Sequence, residues 1–219
     1  MAEIVVVFAD RADAGRQLAQ RLRHLKGRDV VVLGLPRGGV PVAYEVAACL
    51  NAPLDVIVVR KLGVPLQREL AMGAIGEGGV RVVDRAVMAQ AGISDSQLQS
   101  VERVERGLLE ARVAQLRRGR EPPRLDGRTA VVVDDGIATG STARVACEVA
   151  RRLGADKVLL AAPVAPAHLE PGRTGADEVV CVSTPRRFAA VGHHYREFSA
   201  TSDDEVMILL DAAAKRGQQ

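Results

Sequence analysis

Two adjacent carboxylates run into a loop of small and hydroxyl-bearing residues at Val131-Val132-Val133-Asp134-Asp135-Gly136-Ile137-Ala138-Thr139-Gly140-Ser141-Thr142. The β-branched run reads as a buried strand that delivers Asp134 and Asp135 to its carboxyl end, the edge at which open α/β sheets bind ligands. A helix starts just beyond. The loop's backbone N–H groups and the helix N-terminus make an anion site. Thr139, Ser141 and Thr142 add hydroxyl donors, and Gly140 allows close approach of the backbone. One end of the segment therefore suits a phosphate. The other offers carboxylates to sugar hydroxyls, directly or through a metal. It is not a Walker A loop, because no Gly-Lys-Ser/Thr is present, and no G-x-G-x-x-G follows a strand here. The competing reading is an ordinary strand–loop–helix turn with a chance pair of acids.

Such a strand needs a sheet around it, and the chain alternates strand-like and helical runs. Ile4–Phe8 is apolar and β-branched, and Asp10 then caps a helix carrying Ala14, Leu18, Leu22 and Leu25. Val30–Leu35 reads as a buried strand, Val40–Leu50 as a helix and Leu54–Val59 as the next strand. This βαβ rhythm predicts a parallel sheet with right-handed crossovers. It breaks over Lys61–Leu70, a polar stretch with Gly63 and Pro65. Ala74–Ile75 and Val80–Val83, flanking Gly76, Gly78 and Gly79, predict a hairpin. Ser94 and Gln97 form a capping-box pair at the start of a long charged helix. Its Leu98, Val101, Val104, Leu108, Val113 and Leu116 predict one face packed on the sheet. Gly119–Gly127, with two prolines, is the clearest loop. Thr129–Val133, Val158–Val164 and Glu178–Val182 continue the strands, with helices at Thr142–Leu153 and, capped by Ser202, at Asp203–Ala213.

The chain has 219 residues, enough for one α/β domain with additions. Apolar residues make up 47% of the chain and aromatics only 2%, so Val, Leu, Ile and Ala must build the core, as suits a parallel sheet buried on both faces. The net charge of +3 is mild and spread along the chain. Without a concentrated basic face and stacking aromatics, nucleic acid is not the expected partner. Arg117, Arg118 and Arg120 read as a solvated helix end. Cys49, Cys147 and Cys181 are far apart and set in apolar surroundings, which argues for buried thiols rather than disulfides or a zinc site. The short apolar start lacks a basic leader, and no apolar run reaches membrane-spanning length, so a cytoplasmic protein is expected.

A strand, two acids and a Thr-Gly-x-Thr loop opening a helix resemble the ribose-phosphate signature of the type I phosphoribosyltransferases. The resemblance implies a Rossmann-like open, mainly parallel sheet with helices on both faces, plus a small hood, all in one domain over 1–219. It implies that Asp134 and Asp135 hold the ribose hydroxyls, while Gly136, Ile137, Ala138, Thr139, Gly140, Ser141 and Thr142 wrap the 5′-phosphate. The family's 6-oxopurine enzymes carry an Asp where this chain has Ala138. Adenine- and orotate-type members carry Ala, which cannot exchange a proton. Gly34-Leu35-Pro36-Arg37-Gly38-Gly39 follows a strand where the family places its pyrophosphate loop, often with a strained or cis peptide. Arg37 and Gly38 would then contact pyrophosphate. Val59-Arg60-Lys61 ends the next strand, where the family supplies further cations, and Leu62–Met72 resembles the mobile loop that closes over the site. Read alone, these two segments are a plain turn and a solvated strand end. The whole chain, including Gly73–Gly79 and Phe188–Gly192, is similar to a group of bacterial phosphoribosyltransferase-like proteins.

The resemblance implies a pentosyltransferase acting through an oxocarbenium-like state. Asp134, Asp135, Lys61 and Arg37 would be its catalytic residues. Magnesium would be carried by 5-phosphoribosyl 1-pyrophosphate, with Asp134 and Asp135 as candidate protein ligands, and a homodimer would be the working form. A nucleobase-like acceptor would sit under a hood drawn from the N-terminal segment and roughly 165–219, where Phe188 or Tyr195 would stack on it; simple packing is the competing role for both. His193 and His194 are adjacent, so their side chains diverge, and they read as surface or hydrogen-bonding groups. Glu69 and Glu77 flank the loop as solvated carboxylates or, less simply, as bases. A regulator that senses phosphoribosyl pyrophosphate or a nucleotide without turnover is the alternative from another class, and a nucleotide phosphorylase or hydrolase is a third.

Overall fold

The computed structural model describes residues 7–167, 169 and 171–217, apart from the side chains of 68, 69, 171 and 173. Most of the first expected strand, and the side chain of Glu69, lie outside the described residues. Phe8, from the end of that strand, forms a parallel bridge with Tyr195.

Five parallel strands form the central sheet: β1 (Val30–Gly34), β2 (Leu54–Val56), β6 (Thr129–Val133), β7 (Lys157–Val164) and β8 (Glu178–Ser183). Their order is β2-β1-β6-β7-β8. Every residue of β1 is buried, as continuous Val and Leu runs dictate when both faces are covered. On one face lie α1 (Arg11–Arg21) and α2 (Gly39–Leu50), whose Leu18, Leu22, Val42 and Val46 close a core against Val32, Val131 and Leu159. On the other, α5 (Ser141–Arg152) packs Ala146, Val149 and Ala150 on Val31, Val132 and Leu160. The expected Rossmann-like sheet with helices on both faces is therefore present. Cys147 is buried, Cys49 and Cys181 are half-buried, and all three are free. No described helix is long and apolar enough to cross a membrane.

A second, antiparallel sheet stands beside the first: β3 (Val59–Val64), β4 (Gln67–Gly76) and β5 (Arg81–Val83). The apolar run Leu54–Val59, read as one strand, is thus divided between two sheets. Ile57 still donates to Gly34 O at 3.1 Å, but the Val58 N–H donates to Glu77 Oε1 at 2.9 Å and the chain turns away. The Leu62–Met72 segment, expected as a mobile loop, is the body of the β3–β4 hairpin, with its turn at Pro65 and Leu66.

After α3 (Arg85–Gln90), α4 (Asp95–Arg117) opens with the anticipated capping box between Ser94 and Gln97. Its buried stripe differs from the predicted one. Leu98, Leu109 and Leu116 are at most 3% exposed, whereas Val104 is 63% and Leu108 47% exposed. At ~100° per residue the first three fall on one line, while Val104 and Leu108 lie about a quarter turn or more from it. A short α6 (Pro171–Thr174) precedes β8, and α7 (Asp203–Arg216), capped by Ser202, packs beside α2 and α4 and against the edge strand β2.

Candidate functional site

The carboxyl ends of β1 and β6 are neighbours in the sheet, so the turn after β1 and the acids after β6 meet. Leu35 N donates to Val133 O at 2.8 Å, extending the ladder to the first residue past β1. The turn then runs through a cis peptide between Pro36 and Arg37 and lays its glycines on the acids. A Cβ on Gly38 would stand 2.0 Å from Asp135 Oδ2, and one on Gly39 would stand 2.9 Å from Asp134 Cα. Both glycines are required by close approach, not by backbone angle.

Beyond the acids, Ile137 N donates to Val164 O at 2.9 Å, pinning the loop to β7. Gly140 has φ 76° and serves as the N-cap of α5 without a side chain of its own. The hydroxyls of Thr139 and Ser141 lie 3.1 Å apart. Asp134, Gly136, Ile137, Ala138, Thr139, Gly140 and Thr142 line a cavity of about 150 Å³ at the helix start. That is room for several waters, or for one phosphate group held by backbone N–H donors.

The two acids are held differently. Asp134 Oδ1 accepts from the Asp135 N–H at 2.9 Å. Asp135 Oδ2 is paired with Arg11 Nε at 2.9 Å, with both side chains largely buried. Burial, reinforced by the Asp135 charge, pushes the Asp134 carboxyl well above the usual carboxylate range. Burial also raises Asp135, and the Arg11 guanidinium opposes it. The main-chain oxygen of Asp135 accepts from Tyr195 Oη at 2.5 Å.

The expected cations are dispersed. Lys61 lines a cavity of about 580 Å³ together with Ser141, Thr142 and Arg144 of α5. Arg60, on the opposite face of β3 by strand alternation, hydrogen-bonds Glu105 of α4 at 2.8 Å. Arg37 is half-exposed and its guanidinium lies 3.8 Å from the Asp203 carboxylate. Glu77 is neither solvated nor poised as a base: it is buried against Arg117 and accepts from Val58.

A family model for the phosphoribosyl transferase domain matches residues 9–196. The chain belongs to the phosphoribosyl transferase family. A protein of Mycobacterium tuberculosis H37Rv, provisionally named a phosphoribosyl transferase, is 59% identical over 208 residues, which is 94% of this chain and 47% of that protein. Its counterpart in strain CDC 1551 matches equally. The chain thus spans about half the length of the curated relatives it matches. A crystal structure from Thermus thermophilus superposes with a TM-score of 0.80 at 42% identity, covering 94% of this chain and 98% of that one.

In this phosphoribosyl transferase domain a strap over residues 188–199 covers the acid pair. Phe188 stacks on His194 with centroids 5.7 Å apart, and Tyr195 packs between Phe8 and Phe198. Tyr195 is 6% exposed and its hydroxyl is committed to Asp135, so in this arrangement it presents no face to an acceptor. His193 is exposed, while His194 is buried with Nδ1 unpartnered. The two diverge as adjacency requires, although only His193 is a surface group. Sequence reasoning missed Arg11, Phe198 and Ser199, which reach the site across a long sequence separation.

Proposed function

We propose that the protein binds 5-phosphoribosyl 1-pyrophosphate and transfers its phosphoribosyl group to a nucleobase-like acceptor with release of pyrophosphate. One observation carries this reading. The acid pair, the phosphate loop opening α5 and the Gly38–Gly39 turn meet at one sheet edge, close enough that neither glycine can bear a side chain. A single ligand with a phosphate at one end, a diol in the middle and a second phosphate group at the other spans those three elements.

In the proposed reaction the 5′-phosphate lies in the cavity at Ala138–Thr142, and Asp134 and Asp135 accept from the ribose hydroxyls. The pyrophosphate lies on the turn after β1, where backbone N–H groups, Arg37 and Lys61 offset the charge that grows as the C1–O bond breaks. Arg60 reaches it only by leaving Glu105. Ala138 takes no proton, so a proton on the acceptor leaves by another route. Among the described residues no group of three or more His, Cys, Asp or Glu gathers to hold a metal. The paired acids suit magnesium brought by the substrate, and the ion would supply charge neutralisation on pyrophosphate. A second copy of the chain is the proposed partner.

Calorimetric titration with magnesium and phosphoribosyl pyrophosphate tests the binding, and pyrophosphate release over a panel of nucleobases tests the transfer. Binding with release for one base is the expected result. Asp134→Asn with Asp135→Asn replaces both carboxyl groups proposed to hold the sugar and should weaken binding by about 100-fold or more while the fold persists. Unchanged affinity in that folded variant would sink the proposal.

A further inference from the structure

Arg11 is the first residue of α1, yet its guanidinium lies 124 residues away in sequence, on the acid pair. Three contacts and the close approach of Gly38 define its position. Nε donates to Asp135 Oδ2 at 2.9 Å. Nη1 donates to the main-chain oxygen of Ser199 at 2.6 Å. The planar group lies over the Phe198 ring, 4.1 Å from its centroid. From the other side, a Cβ on Gly38 would meet both Asp135 Oδ2, at 2.0 Å, and Arg11 Nε, at 3.2 Å.

These contacts close a circuit. The strap over 195–199 holds Asp135 twice: directly, through the Tyr195 hydroxyl on its main-chain oxygen, and indirectly, through Arg11 on its carboxylate. Phe198, which carries Arg11, packs in turn on Tyr195, with centroids 4.9 Å apart. Asp135 Oδ2 is therefore fixed between a guanidinium and the backbone of the turn after β1, with no room to rotate toward that turn. Holding one oxygen in this way fixes the plane of the whole carboxylate. The guanidinium's shape matters here. One nitrogen meets the carboxylate, a second meets the strap carbonyl and the face stacks on an aromatic ring, a combination that a lysine ammonium cannot reproduce.

We infer that Arg11 is a positioning residue for ribose recognition. It sets the orientation of the Asp135 carboxylate for the sugar and makes that orientation depend on the strap. The inference rests on the proposed binding of phosphoribosyl pyrophosphate. It predicts that losing Arg11 harms recognition of the sugar and not of pyrophosphate, since Asp135 and not the leaving group is what Arg11 orients.

The test compares the wild-type chain, Arg11→Gln and Arg11→Lys by calorimetry with magnesium phosphoribosyl pyrophosphate and, separately, with magnesium pyrophosphate. Circular dichroism and thermal unfolding check the fold. Arg11→Gln should lose about 10-fold to 100-fold in affinity for phosphoribosyl pyrophosphate, as loss of a charge-assisted contact implies, and change little toward pyrophosphate. Arg11→Lys should recover part of the loss, because it restores the charge beside Asp135 without the second contact or the stacking. A folded Arg11→Gln protein that binds phosphoribosyl pyrophosphate like wild type overturns the inference. Equal loss toward both ligands also overturns it, because it would mean that the cation acts on pyrophosphate or that the site has collapsed. If the wild type binds no phosphoribosyl pyrophosphate, the functional reading itself fails and the inference goes with it. That outcome is distinct from a wild type that binds and a variant that binds equally well.

Discussion

Asp134 occupies a position that is unfavourable for an ionised carboxylate. Burial and the neighbouring Asp135 both raise its affinity for a proton, so the folded protein holds more protons here than the unfolded chain. Stability from this group must then fall as pH rises from the ordinary carboxylate range through the raised folded value, the reverse of a salt-bridged Asp. Asp134→Asn removes the titration. Denaturant unfolding of both proteins from about pH 5 to about pH 9 should show the variant gaining on the wild type, by on the order of 2 kcal/mol at the top of the range. Parallel stability curves would refute the raised carboxyl. A residue that weakens the fold where ligands bind is what a functional site predicts. The meeting of the acid pair with the loop that opens α5 was legible because both lie in one unbroken run of sequence. Arg11 was not, because its partner is remote and its local setting is an ordinary helix start. The available hint is electrostatic: an arginine at the first helical position opposes the helix dipole, and here a buried carboxylate compensates for it.

At the scale of elements, strand and helix periodicity located nearly every unit of the central sheet, since each is a run of β-branched residues or an amphipathic repeat. The division of Leu54–Val59 into β2 and β3 was hidden, because both halves are apolar and their separation is imposed by side chains from elsewhere. Arg117 supplies much of that imposition. It pairs with Asp55 at 2.9 Å and with Glu77, and donates to Val56 O at 3.1 Å, at the end of β2. The Arg-rich stretch was read as a solvated helix end, but Arg117 is 7% exposed and joins α4, β2 and the turn after β4. Burial pushes Asp55 up despite this counter-ion. Arg117→Ala would strand two buried carboxylates and should cost about 3–5 kcal/mol, measurable by denaturant unfolding. A loss below about 1 kcal/mol, the level of a surface pair, would mean that water reaches the cluster and that the strand division has another cause.

For the whole molecule, the open question is which surface a second copy would cover. Leu66 at the hairpin turn is fully exposed, and Val104 and Leu108 of α4 are 63% and 47% exposed. With Val64 and Pro65 they line a cavity of about 730 Å³ between hairpin and helix. The charges flanking this face are already paired within the chain: Arg60 with Glu105, and both Arg81 and Arg106 with Glu102. These pairs leave one guanidinium in excess, so the case for a second copy rests on the exposed apolar stripe of Leu66, Val104 and Leu108, which a self-complementary contact would cover. A two-fold axis along α4 would present the same stripe from both sides, as closed dimers require. Light scattering should then report twice the chain mass of 23.3 kDa for the wild type. Val104→Glu with Leu108→Glu should report the monomer, because two like charges from each copy would have to be buried facing one another. A double variant that stays dimeric would place the interface elsewhere. None of the residues exchanged belongs to the acid pair or to the loop opening α5, so the monomer should still bind phosphoribosyl pyrophosphate; loss of binding in the monomer would mean that the hairpin carrying Lys61, which also lines this cavity, depends on the partner for its position.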